Sequence, residues 1–151
     1  AFDPTRHEAL MREAADGMRR APDARRAEAF RLSLDGWRQF ERQDVSAAAA
    51  TLTRALALNP QDAVARYRYG RVLLATGDEP GAQAQFEQAL RERRLAPAPL
   101  VGETYLETAR LHERAHRRDE ALSAYRTAST LFGASSETHA AAARALVRLE
   151  K

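Results

Sequence analysis

The sequence predicts an all-α solenoid of antiparallel helix pairs with about eight helices, and three observations carry that expectation. Small and large residues recur at a fixed interval: Gly36 returns as Gly70, and Ala48, Leu52 and Ala55 return as Ala82, Phe86 and Ala89, all displaced by the same amount. A second, slightly longer shift carries Gly70, Ala82, Phe86 and Ala89 onto Ala109, Ala121, Tyr125 and Ala128. Within each unit, apolar residues sit three and four apart on both sides of a short turn, as two amphipathic helices require.

The elements follow in order. Asp3-Pro4 reads as a cap and first-turn pair for an opening helix over residues 1–23. That helix forms a half repeat, because Ala14, Met18 and Ala21 precede Ala48, Leu52 and Ala55 by the interval that separates Gly36 from Gly70. Repeat 1 covers 29–62: a helix from about Ala24 to Arg42, a turn at Gln43-Asp44, and a helix from Val45 to Leu58 that stops at Asn59-Pro60. Repeat 2 covers 63–96, with helices from Ala63 to Thr76 and from Glu79 to about Arg94 around Gly77-Asp78. The surplus of the longer shift falls near Leu95–Pro99, where two prolines mark a loop. Repeat 3 covers 102–135, with helices from Gly102 to Ala115 and from Arg118 to Phe132. Residues 136–151 form a capping helix opened by Ser135-Ser136-Glu137. One domain, 1–151, contains them all. A single pair cannot bury its own apolar face, so the pairs stack. Gly36 with Ala48, Gly70 with Ala82 and Ala109 with Ala121 are expected to let paired helices approach closely, while Leu52, Phe86 and Tyr125 fill the space between pairs.

Composition narrows the chemistry. The chain has 151 residues, 44% hydrophobic and 30% charged, with net charge +3 carried almost entirely by Arg. There is no Cys, which removes disulfides, thiolate nucleophiles and Cys-ligated zinc. No stretch approaches the roughly 18 apolar residues of a membrane span, so a soluble chain of the cytoplasm or a periplasm is expected. The opening Ala1-Phe2-Asp3 suggests a processed form or a piece of a longer protein. Glycine-rich phosphate loops are absent and no cofactor is expected. Arg91, Arg93, Arg94 and Arg117-Arg118 lie at helix ends, where cations suit the helix dipole. Without interleaved aromatics they do not make nucleic acid the expected partner.

These columns resemble the tetratricopeptide repeat. Unit 2 shows its pattern as Tyr69-Gly70, Leu73, Gly77-Asp78, Ala82, Phe86 and Ala89. Unit 1 shows Leu32, Gly36, Ala48, Leu52, Ala55 and Pro60, and unit 3 shows Tyr105, Ala109, Ala121, Tyr125 and Ala128. Asp35 departs from the usual large apolar residue, and Arg94 and Gly133 replace the closing proline. The resemblance implies a right-handed superhelix whose concave face, lined by the first helix of each pair, binds a peptide or helix of a partner protein. Its concave positions are Ser33, Leu34, Trp37 and Phe40 in unit 1, Tyr67, Arg68, Arg71 and Leu74 in unit 2, and Glu103, Leu106, Glu107 and Arg110 in unit 3. The subtype that clamps a chaperone's C-terminal carboxylate with lysines and asparagines is not expected, because Lys151 and Asn59 are the only residues of those kinds.

Three features admit two readings each. Trp37, with Leu34 and Phe40, is either a groove anchor or a core residue packed on Met11 or Met18 of the opening helix. Arg68 and Arg71 either receive an acidic peptide or, as favoured here, pair with Glu103 and Glu107 of the next repeat. His112-Glu113-Arg114-Ala115-His116 is a literal H-E-x-x-H, the string of a zinc hydrolase. It falls where a helix gives way to a turn, and His112 shares a column with Leu73 and Leu146, so a packing role is expected and catalysis is not. Self-association by end-to-end stacking of the half repeats, giving a homo-oligomer, is the alternative to an adaptor for a separate partner.

Overall fold

In a computed structural model, the backbone is described for residues 4–151 and the side chains for residues 22–151. Among the described residues seven α-helices follow one another: α1 (Pro4–Glu41), α2 (Val45–Leu58), α3 (Ala63–Ala75), α4 (Glu79–Arg91), α5 (Ala98–Arg114), α6 (Arg118–Thr130) and α7 (Ser136–Leu149). A single 3₁₀ turn, Arg93–Leu95, lies between α4 and α5. No strand occurs among the described residues. None of the helices, so far as described, is long and apolar enough to cross a membrane. Helices pack as the pairs α1–α2, α3–α4 and α5–α6, and each pair packs on the next, with α7 closing the series against α6. The first helices α1, α3, α5 and α7 also touch in sequence, which puts them side by side along one face.

The expected number of helices was about eight, and the difference lies at the N-terminus. The half repeat over 1–23 and the first helix of repeat 1 are one continuous helix, Pro4–Glu41, with Pro22 inside it. Between Met18 and Leu34 there is no Gly or Asn to adopt the left-handed conformation that ends a helix. Pro22 by itself removes one backbone donor and strains the helix without supplying a turn. The Asp3 cap and the packing of Trp37 on Met11 or Met18 lie outside the described residues and side chains. Two other boundaries moved. Helix α5 begins at Ala98 instead of Gly102, because Pro99 sits in the first turn, where a missing N–H goes unused. Helices α4 and α6 stop at Arg91 and Thr130, short of Arg94 and Phe132.

The three intra-pair turns are the same structure. Gln43, Gly77 and His116 have φ of 65°, 82° and 58°, all left-handed. The N–H groups of Asp44, Asp78 and Arg117 reach back to the carbonyls of Gln39, Leu73 and His112, and those of Gln43, Gly77 and His116 to Phe40, Leu74 and Glu113. That pair of bonds is the Schellman closure of a helix C-terminus. Asp44 and Asp78 then cap α2 and α4 by accepting from the N–H groups of Ala47 and Gly81. Arg117 stands in the same place before α6 and supplies no side-chain cap.

The core repeats as well. A Cβ added to Gly36 would lie 2.7 Å from Leu52 Cγ, and one added to Gly70 would lie 2.5 Å from Phe86 Cε1. The room left by glycine is thus taken by Leu52 and Phe86, not by Ala48 and Ala82 as expected. Ala48, Ala82 and Ala121 are fully buried at the same interfaces. Leu52 clusters with Val72 of the next pair, Phe86 with Leu111, and Tyr125 with Ala142 and Ala145. Each large side chain therefore fills its own pair and also the seam with the following one.

Gly70→Ala should force the buried Phe86 ring to move, which outweighs the gain in helix propensity and destabilises the fold by about 1–3 kcal/mol. For a chain of this size, thermal denaturation should show a Tm lower by roughly 2–4 °C per kcal/mol. His116→Gly should act in the opposite sense. It relieves a left-handed non-glycine residue and should raise the Tm by a few degrees, for a gain of about 1 kcal/mol.

Candidate functional site

The face formed by α1, α3, α5 and α7 holds an open recess of about 240 Å³ whose walls include Tyr67 and Arg71 of α3, Leu106, Glu107 and Arg110 of α5, and Thr138 of α7. It brings together six expected concave residues: Tyr67, Arg71, Glu103, Leu106, Glu107 and Arg110. The other six, Ser33, Leu34, Trp37, Phe40, Arg68 and Leu74, lie outside it.

Tyr67 organises the α3 side. Its side chain is buried, its hydroxyl donates to Glu103 Oε2 at 2.7 Å, and it accepts from an Arg71 guanidinium N–H at 2.9 Å. The Arg71 guanidinium also lies 5.9 Å from the Tyr67 ring centroid. Burial, reinforced by the bond to Glu103, holds the Tyr67 phenol well above its ordinary pKa, so it stays protonated as a donor. The expected direct pairing of Arg68 and Arg71 with Glu103 and Glu107 is not what forms. Arg71 meets Glu103 only through Tyr67, which stands one helical turn before it and reaches across first. Arg68 instead donates to the hydroxyl of Ser33, a buried residue of α1, at 2.8 Å. Glu107 pairs with Arg110 on its own helix at 2.7 Å.

A second recess of about 360 Å³ shares Leu106, Arg110 and Ala141 with the first and continues it along α5 and α7 past Glu113, Arg144 and Arg148. Here Tyr125 donates to Glu113 Oε2 at 2.8 Å, and Arg148 donates to both Glu113 carboxylate oxygens at 2.6 and 2.8 Å. The Tyr125 phenol is pushed up to about 12, first by burial and then by Glu113. The α7 contribution was missed in the sequence although its signal was present. Glu137, Ala141 and Arg144 follow Glu103, Glu107 and Arg110 at the interval that takes Gly36 to Gly70. Trp37 and Phe40 form a separate aromatic pair on α1, with ring centroids 5.3 Å apart and both side chains half-buried.

The H-E-x-x-H string does not assemble. His116 is the left-handed residue of the α5–α6 turn and leaves the helix that carries His112. His112 lines a hollow with Leu90, Tyr105 and Asp119, whereas His116 lines another with Arg118 and Leu149. Burial and then Arg117 lower the pKa of His112, as suits a packed imidazole. Glu113 is held by Tyr125 and Arg148. Among the described residues, no group of three or more His, Cys, Asp or Glu is placed to hold a metal ion.

A family model for the tetratricopeptide repeat matches residues 39–99. No curated protein matches the chain by sequence. Solved structures match by fold. The N-terminal domain of stress-induced protein-1 (STI-1) from C. elegans superposes with a TM-score of 0.71 at 15% identity, over 85% of this chain and 98% of its own. The first repeat domain of Spaghetti (RPAP3), solved with the HSP90 peptide SRMEEVD, gives 0.69 at 14% identity over 82% and 91%. The Yersinia enterocolitica type III secretion translocator chaperone SycD gives 0.69 at 15% identity over 80% and 81%. Residues 39–99 thus match the tetratricopeptide-repeat family, and over four fifths of its length the chain has the fold of tetratricopeptide-repeat domains.

Proposed function

We propose that the chain is a protein-interaction module that holds an extended peptide or a helix of a partner protein in the groove along α3, α5 and α7. The observation that carries this reading is the continuous pair of recesses, in which Arg71 is held by Tyr67, itself bonded to Glu103, before any ligand arrives. A preset guanidinium loses little freedom on binding, which favours affinity. The RPAP3 domain of the same fold was solved with a bound peptide, which supports a peptide as ligand class. The acidic chaperone tail itself does not suit this groove, because the chain has a single Lys, Lys151, and a single Asn, Asn59, and neither lines the recesses. Charges of both signs alternate along the walls (Arg71, Glu107, Arg110, Glu137, Arg144), and Leu106 and Ala141 form the apolar floor they share. A segment bearing both charges around a central apolar residue fits that pattern. Trp37, Leu34 and Phe40 would extend the contact along α1, and Arg68, tied to Ser33, would act by keeping α3 against α1. Nothing in this reading calls for catalysis.

Self-association is a second reading, favoured by one observation: Ala140, Ala143 and Val147 of α7 are exposed, Val147 by 61%.

The test is capture from the source lysate with wild type, an Arg71→Ala/Arg144→Ala variant and a Trp37→Ala variant, each checked for helicity. A partner lost in the Arg variant and weakened by Trp37→Ala is the expected result. Each lost charge-assisted bond is worth about 1.5–3 kcal/mol, or tenfold and more in Kd. A partner held equally by all three folded proteins would remove the groove as the site.

A further inference from the structure

Short turns make the helices of each pair antiparallel, so the stack has two rims. The left-handed turns at Gln43, Gly77 and His116 lie on one. The joints between pairs, residues 59–62, 92–97 and 131–135, lie on the other. The first joint is the polar run Asn59-Pro60-Gln61-Asp62, so such a link needs no apolar side chain to form. The second and third nevertheless carry Leu95 and Phe132. At 87% and 96% exposed, these are the two most exposed large apolar side chains among the described residues. Neither belongs to a core cluster, and neither lines the recesses of the groove.

The two joints are neighbours. Gly133 fits so closely against the start of α5 that an added Cβ would lie 2.9 Å from the Cβ of Ala98. The residue after Phe132 therefore touches the residue three beyond Leu95. The charge around them is positive. Residues 91–99 hold Arg91, Arg93 and Arg94, all exposed, against the single acid Glu92, and residues 130–136 hold no charge. Arg93 spends one N–H on the carbonyl of Leu90 near the end of α4, at 2.8 Å, and keeps the rest for a ligand. The next acid along the chain, Glu137, lines the first recess of the groove.

We infer that this rim docks on an anionic lipid surface, with Leu95 and Phe132 entering the headgroup layer and Arg91, Arg93 and Arg94 meeting lipid phosphates. Size decides against a protein as the occupant. An aromatic side chain covers about 150–250 Å² when buried, and Leu covers less. A stable protein interface takes about 800 Å² from each side. A bilayer demands no such matched area. Apolar tips leave water as they pass between headgroups, while guanidiniums stay at the charged layer. Two tips and three cations make a contact that is reversible and selective for anionic lipid. It uses none of the residues that line the groove, so it stands or falls separately from peptide binding there.

The test is co-sedimentation of the full chain with vesicles of equal parts phosphatidylglycerol and phosphatidylcholine, and with phosphatidylcholine alone. Wild type is compared with Leu95→Ser/Phe132→Ser and Arg93→Glu/Arg94→Glu. All four positions are exposed, so both variants should keep the wild-type circular dichroism. Wild type should bind the anionic vesicles, less as salt rises, and should bind phosphatidylcholine at least about tenfold more weakly. The Ser variant should lose about tenfold or more in affinity, as expected for removing large apolar side chains from a buried site. The Glu variant should lose its preference for anionic vesicles. In Phe132→Trp, emission should move to the blue on those vesicles. Trp37 of wild type, beside the opposite rim where α1 ends at Glu41, should not respond. A wild type that binds neither vesicle would overturn the inference, and so would anionic binding that the Ser variant retains in full, since charge alone would then explain it. Equal binding to both vesicles would remove the arginines from the contact. A protein partner lost from the Ser variant, with no vesicle binding by wild type, would assign the two tips to protein and refute the lipid contact.

Discussion

Everything in this fold depends on how closely the two helices of a pair can approach, and one column sets that distance. Where the first helix has Gly36 or Gly70, a Leu or Phe from the second helix lies so near that no Cβ could be added without displacing it. The large side chain is not spent on its own pair alone. Leu52 reaches Val72, Phe86 reaches Leu111, and the equivalent Tyr125 reaches Ala145, all on first helices of the following pair. Intra-pair and inter-pair spacing are thus set by the same atoms. The first helices are held side by side as a result, and the groove is the face they share. In unit 3 the column changes to Ala109 with Tyr125, and the added hydroxyl is used: it bonds Glu113, which also takes Arg148 of α7. A packing position has become the tie between the last pair and the closing helix.

The turns follow a similar rule of position over identity. Gln, Gly and His occupy one left-handed site, at Gln43, Gly77 and His116, although only glycine adopts it without strain. This decides the fate of the H-E-x-x-H string. Read as a linear motif, it puts two imidazoles on one helical face; read by its place in the repeat, its second His is the residue that ends the helix. The periodic constraint acts on the whole chain and the motif only on its own short stretch, so the repeat wins.

The features legible in the sequence were those the period controls. Columns such as Gly36, Gly70 and Ala109 revealed the pairing, Gln43-Asp44 and Gly77-Asp78 the turns, and the concave positions Tyr67, Arg71, Leu106, Glu107 and Arg110 meet in one recess. The parts that were not legible depend on local competition that the period does not encode. The half repeat over 1–23 was read as a separate helix, but one helix runs from Pro4 to Glu41 with Pro22 inside it. Arg68 and Arg71 were assigned the acidic residues of the next repeat, yet Tyr67 reaches Glu103 first and Ser33 takes Arg68. The α7 wall of the groove was available by extending the phase from Arg110 to Arg144; it was hidden by treating that helix as a cap and not as the start of another unit.

The connection between α4 and α5 has a consequence for how such a chain can change over time. It is the one place where the shift that relates Gly36 to Gly70 gives way to the longer one that relates Gly70 to Ala109, and the surplus is taken up by the 3₁₀ turn and by Pro97 and Pro99. The columns on either side remain in register with each other. Length variation is therefore absorbed at the rim of the stack, outside the buried seams. Insertions at such joints, and the gain or loss of whole helix pairs between them, leave every remaining seam intact, so an ancestral gene could lengthen, shorten or recombine here without having to rebuild its core.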